Sequence, residues 1–158
     1  HNSVMQFIRP GLSASFGAEK PWWEAMKDPG YNQMKYLKWL ILNFPFTERV
    51  ADQSIIAGQN GERYDRVIAT RGNDYMLVYN YSGKPMSIDL TKISGAKKNV
   101  WWMNPTNGEL TYLGEYDNKV TEFTYDAAYL RGSDRVLIAV DSSKNYISKD
   151  DKQIPEKE

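Results

Sequence analysis

Residues 100–110 read VWWMNPTNGEL. The run from Val100 to Met103 has the β-branched and aromatic content of a strand. A turn with a mechanism follows it: Pro105 fixes φ at the second position, and Gly108 takes the left-handed conformation that returns the chain. Neighbouring residues of a strand point to opposite faces, so Trp101 and Trp102 are divided between the two sides of a sheet. One ring is expected in a core and the other on an outer face or an interdomain surface. Left open to solvent, the second ring is an aromatic platform on which a sugar stacks; covered, it packs against helices. Packing is the expectation, because large exposed apolar patches are uncommon; a Trp101 or Trp102 platform is the alternative.

Outward from this stretch the strand pattern recurs. DRVIATRG (65–72), DYMLVYNYSG (74–83), PMSIDL (85–90), NVWWMNP (99–105), GELTYLGEY (108–116), KVTEFTY (119–125) and DRVLIAVD (134–141) are short runs rich in Val, Ile, Tyr, Trp and Thr. Turn signals at Arg71-Gly72-Asn73-Asp74, Ser82-Gly83-Lys84 and Asp117-Asn118 separate them. The spacing predicts a mainly β fold, an antiparallel β-sandwich of about seven strands over residues 47–141. Such a sandwich is expected to fold without what precedes it. Tyr75, Tyr79 and Tyr81 alternate with Met76 and Val78, which predicts a tyrosine-lined, half-buried sheet face.

Residues 1–46 read differently. Pro21 opens a short helix through Trp22, Trp23, Glu24, Ala25 and Met26. Asp28 as cap and Pro29 as first residue open a second one, over YNQMKYLKWLILNF, which Pro45 ends. Met34, Leu37, Ile41 and Phe44 share one stripe at helical spacing, while Trp39 and Leu42 fall outside it. A helix apolar on more than one side needs cover on more than one side. About 45 residues of helix and Gly/Ser loop (Gly11 to Gly17) are too few for a domain, so this segment is expected to complete something larger. Residues 142–158, SSKNYISKDDKQIPEKE, are polar and mixed in charge and are expected to form a tail that buries little.

Composition excludes several functions. Lys and Arg number 20, as do Asp and Glu, so zero net charge offers no global attraction to nucleic acid or an anionic membrane. With no cysteine there is no disulfide or thiolate chemistry. No apolar stretch reaches the ~18 residues of a membrane span, and VMQFIRP lacks the basic n-region of a signal peptide. One histidine and no Asp-x-Asp-x-Asp run predict no metal site, and no cofactor motif is present. Acid–base hydrolysis by carboxyl groups needs a pair held at a fixed separation. Glu19, Glu24 and Asp28 form no convincing pair, so no catalytic residue is assigned in this chain.

The ordered set HNSVMQF, a Gly/Ser loop, PWWEAM, PGYNQMKYLKWLI, ERVADQSII, WWMNPTNGE and RVLIAV resembles a group of bacterial apiosidase-like glycoside hydrolases. In that group a (β/α)8 barrel precedes a β-sandwich known as a "putative collagen-binding domain of a collagenase". The resemblance implies that residues 1–46 are the last helical elements of the barrel and that the catalytic acids lie on strands outside this chain. It implies as partners the N-terminal catalytic barrel of the same protein and, for the parent enzyme, a plant-type polysaccharide, with a periplasmic or secreted location. It places His1 after the last barrel strand, near the rim where barrel active sites lie, with Asn2 and Gln6 as further substrate contacts. A carbohydrate- or collagen-binding module is the alternative function. An independent small domain is a third, and requires the sandwich to satisfy the helical segment by itself.

Overall fold

Strands whose apolar residues run on without alternation are buried on both faces. Three of the runs above have this character. In a computed structural model of the chain, which describes residues 21–125 and 134–154, they are the central strands of a six-stranded antiparallel sheet. Its order is β1 (Val50–Ala51), β2 (Ile68–Arg71), β3 (Tyr75–Asn80), β8 (Arg135–Asp141), β5 (Lys97–Met103) and β6 (Leu110–Asp117). A smaller sheet pairs β4 (Met86–Asp89) with β7 (Val120–Phe123). All seven sequence runs are strands in the expected places. The two-residue β1 is added at one edge, too short for a sequence pattern to reveal.

The sandwich core lies between the two sheets, where Met76, Val78, Val100, Trp102 and Leu137 meet Met86, Ile88 and Phe123. The opposite face of the large sheet carries a second core. There Tyr75, Leu77, Trp101, Met103, Ile138 and Val140 pack against Trp39, Leu40 and Phe44 and against Ile147 and Ile154. Of these, Trp39 and Leu40 belong to the helix α2 (Pro29–Leu42) and Phe44 follows its end; a short helix, α1 (Trp22–Ala25), precedes it. Asp28 holds the N-cap position in extended conformation, and Pro29 begins the helix, as the sequence predicts.

Two expectations change here. Phe44 does not share the fate of Met34, Leu37 and Ile41: it lies beyond the helix end and stacks on Tyr75, rings 4.8 Å apart. Nor do residues 142–154 hang free. Ile147 and Ile154 are buried, the Ile154 amide donates to the Gly108 carbonyl at 2.9 Å, and Gln153 bridges Glu109 as a further β contact. Two isoleucines spaced seven apart in a polar run are enough to dock it, since each buried side chain contributes about 1.5–3 kcal/mol.

The 104–108 turn closes as its residues dictate. Gly108 has φ +75° and donates to the Asn104 carbonyl at 2.8 Å. A Cβ on Gly108 would lie 2.4 Å from the Tyr36 ring, so the glycine also lets α2 approach the sheet.

Candidate functional site

α2 has two apolar faces, and the sheet covers one. Trp39 and Leu40 are buried against it, while Met34, Leu37 and Ile41 are 51%, 48% and 38% exposed. These three are spaced three and four apart and form one outward stripe. Leu42, Tyr31, Met26 and Trp23 are also exposed. Such a density of open apolar side chains on one short helical segment is an exposed apolar patch, of the kind found at interaction surfaces.

The helix is held to the sheet at its C-terminal end. The Arg49 guanidinium donates to the Leu40 carbonyl at 2.9 Å and to the Tyr75 hydroxyl at 3.2 Å. Tyr75 in turn donates to the Pro45 carbonyl at 2.9 Å. A cation at this end meets the negative pole of the helix and its unpaired carbonyls. Asn43 adds a bond from its amide to the Tyr146 carbonyl at 2.8 Å. No sequence pattern singled out Arg49; its partners are brought together only by the fold.

Trp101 and Trp102 do divide between the faces, but neither is an open platform. They are 1% and 4% exposed, Trp101 in the core under α2 and Trp102 in the sandwich core. Trp101, on the outer face of the sandwich, lies beneath α2 and residues 142–154. Glu24 is exposed, and Asp28 stands at the helix cap. His1, Asn2 and Gln6, like Glu19 and the Gly11–Gly17 loop, lie outside the described residues. Among the described residues no group of His, Cys, Asp and Glu is arranged to hold a metal ion, and no helix is long and apolar enough to cross a membrane.

Several of the described acids have structural partners. Asp52 accepts from Ser54 and from Arg71 at 2.7 Å, and these bonds hold its carboxyl down to about 2. Asp65 meets Lys84 at 2.6 Å, and Asp74 accepts from the Tyr146 hydroxyl at 3.1 Å. Asp141 accepts from Ser94 at 2.6 Å and from Ser143, and the Ser94 bond is the main cause of its lowered pKa. A shallow cleft lined by Asn99, Ser142, Lys144, Ile147 and Lys149 opens beside the 142–150 segment. It contains one acid, Asp150, and therefore no carboxyl pair.

Residues 50–140 match the family model described as "Putative collagen-binding domain of a collagenase". The chain belongs to that family. Residues 1–48 match a second model, "Apiosidase-like, catalytic domain". A solved glycoside hydrolase family 5 protein from Bacteroides vulgatus ATCC 8482 is 65% identical over 99% of this chain, with a TM-score of 0.90. A second structure, titled "Glycoside hydrolase", is 65% identical over 93% of the chain, with a TM-score of 0.85. The chain spans 34% and 33% of those two proteins, about a third of each. Comparison with curated proteins finds no match.

The family assignment gives the geometry a boundary. The part that matches the collagen-binding-domain family holds the described strands, all but the last residue of β8, whereas α2 falls in the part that matches the catalytic-domain model. Yet Trp39, Leu40 and Phe44 from the catalytic-domain part share one core with Tyr75, Trp101 and Ile138 from the collagen-binding-domain part. The two matched regions meet inside a single packed unit.

Proposed function

We propose that the chain is part of a polysaccharide-degrading glycoside hydrolase and carries the last helical elements of its (β/α)8 catalytic barrel together with the β-sandwich that packs on them. The core shared across the boundary at residues 48 and 50 carries this reading: a helix of catalytic-domain type uses one face for the sandwich and leaves Met34, Leu37 and Ile41 for the rest of the barrel. The sandwich is then an accessory domain that stabilises the barrel's last helix and shields one side of it. The parent enzyme hydrolyses a glycosidic bond in a plant-type polysaccharide, an activity suited to a periplasmic or secreted protein. Its two carboxyl groups come from barrel strands outside this chain, in keeping with the structural partners of Asp52, Asp65, Asp74 and Asp141. His1, Asn2 and Gln6 remain the proposed substrate contacts at the barrel rim.

The test is an assay of the purified chain on aryl glycosides and pectic oligosaccharides. No turnover is expected. Turnover that disappears on substitution of a carboxylate within residues 1–158 overturns the proposal.

A further inference from the structure

Building on the proposed function, we infer that the catalytic domain of the parent enzyme also contacts this chain at a second place, the β2 wing of the large sheet, through Ile68, Tyr79, Tyr81 and Tyr64. Cross-strand partners share a face. Ile68 pairs with Tyr79 and Thr70 with Leu77, so Ile68 projects on the side of the sheet that bears α2. There α2 and residues 142–154 cover side chains of β3, β8, β5 and β6, but none of β2 joins that core. Ala69, which points the other way, is fully buried in the sandwich, while Ile68 is 52% exposed.

The exposed patch continues from Ile68. Tyr79 is half-buried beside it and donates to Asp134 at 3.2 Å; Tyr81 lies near enough to bear on the ionisation of Tyr79. Tyr81 in turn meets Tyr64, with ring centroids 5.9 Å apart, and Tyr64 is 77% exposed. Tyr64 is not on a loose tip. It stands in the 3-10 turn Arg63–Asp65, where Arg63 holds a left-handed φ of 52° and Asp65 is tied to Lys84. Amphipathic rings presented this way beside an open apolar strand face have the composition of an interface.

The occupant follows from position and length. The wing is on the side of the sheet that carries α2, whose outer stripe is the proposed barrel contact, and the solved relatives are about three times as long as this chain. A body seated on α2 that also reaches β2 gains a second footing and fixes the sandwich against rotation about the helix.

Hydroxyl-radical footprinting of the isolated chain and of the protein encoded by the whole reading frame tests this, with Met34, Tyr64 and Tyr81 as reporters. The expected result is a several-fold drop in oxidation at all three in the longer protein. Protection of Met34 with Tyr64 and Tyr81 unchanged overturns the second contact and leaves the proposed function standing. Protection of none overturns both. Tyrosines that are protected only when an oligosaccharide is added are a sugar platform, which also overturns the contact. In a parallel measurement, Ile68→Lys is expected to lower the melting temperature of the longer protein more than that of the isolated chain; equal shifts count against the contact.

Discussion

Lys98 and Asp141 face each other across β5 and β8. Lys98 is fully buried, and its ammonium donates to the Gly95 carbonyl and to Asn118 Oδ1. Burial lowers its pKa, against the opposing pull of Asp141. Gly95 makes the arrangement possible: its φ is +92°, and a Cβ there would lie 2.4 Å from the Asp141 carboxylate. Gly95→Ala is therefore expected to destabilise the fold by about 1–3 kcal/mol, read as a lower urea midpoint. Asp52 supplies a pH signature. Its carboxyl is lowered from 3.8 to about 2 in the fold, first by Ser54 and then by Arg71. A depressed carboxyl stabilises the native state fully above its unfolded value and ceases to do so as pH falls through the folded one. Asp52→Asn is expected to melt earlier at neutral pH and to show a shallower loss of stability between pH 3.8 and about 2 than wild type. Parallel melting curves across that window would refute the assignment.

At the scale of the element, the two faces of α2 separate stability from association. Trp39→Ala removes a buried ring from the core under the helix and is expected to cost about 3–5 kcal/mol. Leu37→Lys with Ile41→Lys changes only exposed positions, so each is expected to stay within about 0.5 kcal/mol of wild type. The same pair should abolish concentration-dependent self-association of the isolated chain by light scattering. A wild type that is strictly monomeric, and unchanged by the lysines, would mean that the stripe is not an interface. The 142–154 segment belongs to the same argument. Truncation after Ser142 strips Ile147 and Ile154 from the core, at about 1.5–3 kcal/mol each, and should lower the melting temperature of the chain markedly.

For the whole molecule, the layering decides which part can stand alone. The strands by themselves predict an independent sandwich, but the large sheet has a second core on its other face. Residues 48–142 expressed alone would open Tyr75, Leu77, Trp101, Met103, Ile138 and Val140 to water. That piece is expected to melt without a cooperative transition, whereas residues 21–154 melt cooperatively. A sharp transition in the shorter piece would show that the second core is dispensable. What sequence determined by itself was local. Composition and turn chemistry located seven strands, Pro29 opened α2, Gly108 closed the 104–108 turn, and the period of Met34, Leu37, Ile41 and Phe44 marked a stripe of which the first three face outward. Each of these depends on residues a few positions apart. Only the tertiary structure decided that both tryptophans are buried, that Phe44 turns to the sheet, that the polar segment docks through two isoleucines, and that Arg49 and Lys98 find their partners. Those outcomes hang on which strand lies beside which: β8 enters the sheet between β3 and β5, and the chain that follows it returns across the face where α2 lies. Burial of a face is a property of the layer laid on it, and that layer comes from residues distant in the chain.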